Sequence, residues 1–77
     1  MTTTADRFRQ AYADAPAVFG PLYPRELAHM KTRLRAWMAK TGATPIAAAL
    51  AIEARETWAH RKTLALAAAV EILAEDA

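Results

Sequence analysis

From Ile46 to Ala77 the chain contains neither Pro nor Gly, and more than a third of these positions are Ala. Ala has the best intrinsic helix propensity, and nothing inside the stretch breaks the backbone pattern. An unbroken helix of about 30 residues would be roughly 45 Å long at about 1.5 Å per residue. That is longer than a 77-residue globule is wide. Either another element covers this helix or it bends.

Three segments read as helix, at about 4–14, 24–41 and 45–75, and no alternating β-branched run marks a strand. The chain therefore reads as one small all-α domain: a bundle of three helices, or four if the last one kinks. In the first helix Thr3 or Thr4 is placed to cap, Asp6 suits the positive end, and Phe8 and Tyr12 share a face. Pro16 and Gly20-Pro21 then predict a linker over residues 15–23. With Val18, Phe19, Leu22 and Tyr23 it is apolar enough to pack onto the core. The second helix opens on Pro24 and carries Leu27, Met30, Leu34, Trp37 and Met38 on one stripe. Gly42 suits its left-handed cap, and Thr44-Pro45 starts the next helix at once. The second and third helices are thus expected to form an antiparallel hairpin.

The third helix changes face part way. Ile46, Leu50, Ala54 and Trp58 define one apolar side; Leu66, Val70 and Leu73 lie about 100° further round. His60-Arg61-Lys62 sits between them. Without Gly or Pro the expectation is an unbroken helix facing two sets of neighbours, the alternative being a kink at Ala59–Thr63 with Thr63 as the new cap. The far half outruns the second helix. Either the first helix folds back over it, or a homodimer forms through Leu66, Val70 and Leu73.

The chain has no Ser, Cys or Asn, and its two glycines lie far apart. Serine and cysteine nucleophiles, disulfides and phosphate-cradling glycine loops are excluded. Glu53, Glu56 and His60 share a helix face, but Glu56 and His60 are four apart rather than three, so they do not make the Glu-x-x-His pair of a metal bundle. No catalytic residue, metal ligand or cofactor site is assigned. Trp37 and Trp58 fall on apolar faces and are expected in the core rather than as a clamp for a base. No apolar run reaches membrane-spanning length, and the N-terminus meets charge at Asp6 with no signal-peptide core, which points to a cytoplasmic protein with no membrane partner. Heavy use of Ala and Arg suits a bacterial or phage source.

Charge gives the functional lead. Residues 25–62 hold eight Lys/Arg against three Glu, while residues 63–77 hold only Glu71, Glu75 and Asp76. If the hairpin forms, Lys31, Arg33, Arg35, Arg55, Arg61 and Lys62 are expected to make one basic surface, with Arg25, Arg33 and Lys40 on the outer side of the second helix. Such a surface attracts an acidic protein or a phosphate backbone. The acidic tail is expected to be solvated or met by a basic surface of another molecule.

The stretch from Trp37 to Ala51, with Gly42 in its turn and Thr44 capping the second helix, is similar to a DNA-binding helix-turn-helix. Its second helix is expected to expose Ala47, Ala48, Ile52 and Arg55, which lack the amides and hydroxyls that address base edges. Two functions follow as expectations. The first is a non-catalytic protein that binds a protein or ribonucleoprotein through the basic surface, as a small phage or mobile-element inhibitor does. Anti-CRISPR proteins look like this in size and lack of motifs. The second is a DNA- or RNA-binding regulator that turns the same cations on phosphate.

Overall fold

The computed structural model describes residues 2–77, and they form four α-helices with no strand. Helix α1 spans Thr4–Phe19, α2 Tyr23–Thr41, α3 Pro45–Arg55 and α4 Ala59–Glu75; a single 3-10 turn, Gly20–Leu22, joins α1 to α2. The bundle measures 32 × 31 × 29 Å with a radius of gyration of 11.4 Å. An unbroken 45–75 helix would project beyond that envelope. None of the helices described is long and apolar enough to cross a membrane.

The centre of the bundle is α4. Six consecutive residues, Leu64 to Ala69, are buried, and Ile72 is fully enclosed one turn later. A helix covered on all sides needs partners on all sides, and α1, α2 and α3 each pack against it. Its alanines explain how three helices fit around one. Ala65, Ala67, Ala68 and Ala69 are all completely buried, and with only a methyl group each they let neighbouring backbones come close. Leu64 and Ile72, with Met30 and Leu34 from α2, are the largest fully buried side chains, each contributing about 1.5–3 kcal/mol by leaving water. The apolar stripe that rotates part way along the last segment is therefore covered from within the chain. Leu66 is 4% exposed beneath the other helices and Val70 is half-buried, so of the three residues expected to form a dimer seam only Leu73 is open.

The expected unbroken helix is corrected: the segment breaks at Glu56–Trp58, ahead of the alternative kink site. Charged side chains take the place of Gly or Pro at the break. The Glu56 N–H donates to the carbonyls of Ile52 and Glu53 at 3.1 and 3.2 Å, after which the backbone extends (ψ 140°). At this end of α3 the Lys62 Nζ donates to the Glu53 carbonyl at 3.1 Å, and the Arg55 guanidinium folds back to donate to the Ala51 carbonyl at 3.0 Å. Cations at the carbonyl end of a helix satisfy its orphan acceptors and its dipole together. Thr63 is no cap; its hydroxyl donates back to the Ala59 carbonyl at 3.2 Å.

The expected linker at 15–23 is also corrected, since α1 runs through Pro16 to Phe19. The proline ring is exposed while Ala15 beside it is fully buried. Continuing the helix carries Phe19 onto the core, with its ring 5.7 Å from that of His60. That packing outweighs the hydrogen bond lost at Pro16. Gly42 behaves as expected: at φ 75° and ψ 10° it ends α2 in the left-handed region, and its N–H donates to the Met38 carbonyl at 2.8 Å.

Candidate functional site

Helix α2 carries four kinds of side chain on four faces. Met30 and Leu34 are buried against the core, and Leu27, Trp37 and Met38 border them. The two flanks hold charges that reach the ends of α4. Glu26 meets Arg61 in the first turn of α4 at 3.8 Å; Lys31 and Arg35 meet Glu75 in the last turn, Arg35 at 2.8 Å, and Arg35 also lies 3.5 Å from Asp76. These contacts answer a conflict within α4. His60, Arg61 and Lys62 sit at its positive end, and Glu71, Glu75 and Asp76 at its negative end. By lying across α4, α2 supplies a counter-charge to each end.

Most of the expected basic surface is thereby neutralised from within. Lys31 and Arg35 hold the acidic tail, and Arg33 pairs with Glu56 at the α3–α4 break. Arg61 lies 3.4 Å from the same Glu56, while Lys62 is bound to a backbone carbonyl. Of the six expected residues, Arg55 alone meets neither a carboxylate nor a carbonyl outside its own helix; its guanidinium lies 4.6 Å from the centre of the Trp37 ring. The tail is neither free nor left for another molecule, because the protein's own α2 holds it.

Hydrogen bonds from Arg33, with Arg61 nearby, hold the Glu56 carboxyl below its ordinary value of 4.5 against the opposing effect of burial. Lys31 and then Arg35 do the same for Glu75. A carboxylate with a depressed folded-state pKa contributes stability that is present above its unfolded value and lost as pH falls through the folded one. The urea midpoint is therefore expected to hold from neutral pH down to 4.5 and to drop below it. Glu56→Gln should shrink that drop, and an unchanged acid limb in this variant would exclude Glu56 as a contributor.

The outward face of α2 is different. Arg25, His29, Thr32, Arg33, Ala36 and Lys40 are all exposed and fall within about 100° of the helical wheel, without a carboxylate among them. From Arg25 to Lys40 the stripe runs about 22 Å along the axis. Among the described residues, Arg25 and Lys40 have no carboxylate within ion-pairing distance. At its C-terminal end the stripe opens into a notch of about 240 Å³ between α2 and α3, lined by Arg33, Ala36, Trp37, Lys40, Ile52 and Arg55.

Periodicity placed Arg25 and Lys40 on the outer side of α2 and Lys31 and Arg35 on a flank, but nothing in the sequence showed which of these cations meet a carboxylate. The acids that consume the other cations come from the α3–α4 break and the tail, 23 to 44 residues away. Within the segment that is similar to a helix-turn-helix, α3 stops at Arg55 and does not continue into residues 59–75. Its exposed face is Ala47, Ala54 and Arg55, because Ala48 and Ile52, expected on the surface, are buried. Trp37 and Trp58 also part company. Trp37 borders the core beneath Arg55, whereas Trp58, expected in the core, is 63% exposed at the break, with its ring 6.2 Å from that of His60. Glu53 is taken by Arg7 at 2.5 Å and Glu56 by two arginines, and no group of three or more metal-ligating side chains occurs among the described residues. Compared with known protein families, characterised proteins and solved structures, the chain matches none.

Proposed function

We propose that this protein is a non-catalytic interaction module that binds an acidic surface of a protein partner through the outward face of α2, acting as a small inhibitor or adaptor by occupying that surface. One observation carries the reading: most of the chain's cations are spent on its own carboxylates and carbonyls, while Arg25 and Lys40 remain unpaired on one exposed, carboxylate-free stripe. Cations kept free on one face attract an anionic partner and steer its approach. A protein partner is favoured over nucleic acid because α3, the helix that would enter a groove, exposes Ala47, Ala54 and Arg55, leaving Arg55 as its one side chain able to read a base edge, and that guanidinium is held by the Ala51 carbonyl and the Trp37 ring. At the end of the stripe, Ala36, Trp37 and Ile52 give the notch an apolar floor that suits an apolar side chain, which a phosphate backbone lacks.

Poly-L-glutamate and random-sequence duplex DNA, titrated against the protein between about 50 and 200 mM salt, separate the two classes of partner. Tighter binding of polyglutamate is the expected result. Micromolar binding of the duplex with a steep negative salt slope, and weaker binding of polyglutamate, would replace the protein partner with a nucleic acid.

A further inference from the structure

We infer that the α2–α3 notch is an anchor pocket for one aromatic or leucine side chain flanked by carboxylates, so that the partner segment is an acidic peptide bearing a large apolar residue. This rests on the reading of the α2 face given above and deepens it.

The lining sets the ligand. Ala36, Trp37 and Ile52 supply an apolar floor, and Arg33, Lys40 and Arg55 supply three cations with no acid in the lining. Arg33 is already bound to Glu56, so Lys40 and Arg55 are the pair available to an incoming carboxylate. Arg55 is held in advance. One nitrogen donates to the Ala51 carbonyl at 3.0 Å, and the guanidinium carbon lies 4.6 Å from the Trp37 ring centre. A guanidinium has five N–H donors in a planar fork, so this one keeps donors free while losing little conformational freedom on binding. The size matters too. At about 240 Å³ the notch is below the range of about 300–1,000 Å³ typical of small-molecule sites, and it lies open at the surface. It fits one side chain presented by a larger partner. A half-buried Trp with an Arg beside it also pairs residue types that dominate binding energy at protein interfaces.

The test uses two fluorescein-labelled peptides of equal charge, one with a Phe flanked on each side by glutamates and one with Ala in place of that Phe. The Phe peptide is expected to bind about tenfold more tightly. Trp37→Ala should collapse that ratio towards one. Because Trp37 also borders the core, two exposed positions provide independent variants: Ala36→Glu should collapse the ratio, and Arg55→Ala should weaken binding of both peptides by removing a partner of their shared carboxylates. In a Trp58→Phe background the remaining Trp37 emission should shift on adding the Phe peptide and not the Ala peptide. Equal binding of the two peptides overturns the anchor pocket and leaves the basic stripe standing; binding of neither overturns both. A ratio that survives Ala36→Glu places the apolar contact elsewhere and overturns the assignment, as does unchanged affinity of Arg55→Ala for both peptides. Light scattering that shows the protein self-associating, with Ala36→Glu abolishing the association, would seat a second copy there and overturn the foreign peptide.

Discussion

Leu64→Ala is expected to lower the free energy of unfolding by about 2–5 kcal/mol, the range for emptying a fully buried leucine site. Leu64 is 1% exposed at the start of the six-residue buried run of α4, where the helix is enclosed by its neighbours. Those neighbours are themselves joined by short connections, which limits how far they can collapse into a cavity. For a 77-residue chain the whole stability is on the order of 4–12 kcal/mol, so one such loss removes a large share of it. Ala68→Leu approaches the same site from the other direction. Its methyl group is fully buried, and adding a larger side chain there should cost about 1–3 kcal/mol through overpacking. Leu73→Ala, on the exposed end of the same helix, should stay within about 0.5 kcal/mol. Urea titration followed by helical circular dichroism measures all three. A Leu64→Ala variant as stable as Leu73→Ala would mean that α4 is not the centre of the bundle.

Reversing the two unpaired cations of the outward α2 stripe, Arg25→Glu with Lys40→Glu, is expected to weaken binding of an acidic partner about 100-fold while leaving the fold intact. Each substitution removes an attraction and sets a like charge against the partner, an effect that costs several kcal/mol at interfaces. Both residues are exposed and unpaired, so the same changes should alter stability by no more than about 0.5 kcal/mol. The informative control is Lys31→Glu with Arg35→Glu. It makes the same change in net charge at residues committed to Glu75 and Asp76. That variant should release the end of α4 and lower stability, yet lose much less affinity, because these cations are engaged within the protein. Fluorescence polarisation with the acidic peptide reads the affinities. Equal losses in the two double variants would mean that binding follows net charge alone and that no particular face of α2 is used.

Local chemistry made part of this fold legible. Helix α2 was expected at 24–41 and spans Tyr23–Thr41, because its stripe, Gly42 and the Thr44-Pro45 start are all short-range signals. The Thr44 hydroxyl accepts from the Ala47 N–H at 3.2 Å, as a capping threonine should. What escaped was decided at long range. Pro16 is an ordinary helix breaker in sequence, and only the packing of Ala15 and Phe19 shows why α1 continues past it. The break at Glu56–Trp58 carries no Gly or Pro, and it is held by Arg33 from α2 and by Arg61 and Lys62 from the first turn of α4. His60-Arg61-Lys62 was visible as an interruption, but the interruption lies just after the break rather than at it.

The candidate surface shows the same division. Helical periodicity puts Arg25, Arg33 and Lys40 on one side of α2 without any knowledge of the fold. Which cations stay free depends on where Glu26, Glu56, Glu75 and Asp76 land in space. Charge runs in a sequence measure the supply of cations; the fold sets how many remain unpaired.

The most direct test of that distinction is an amide and side-chain NMR titration of the isotopically labelled full chain with the acidic Phe peptide. The expected result is a continuous set of shifted resonances along Arg25, His29, Arg33, Ala36 and Lys40, extending to the Trp37 indole and the Arg55 guanidinium, with Lys31 and Arg35 unmoved. Shifts centred on Lys31, Arg35 and the end of α4, with the outward face of α2 silent, would contradict it.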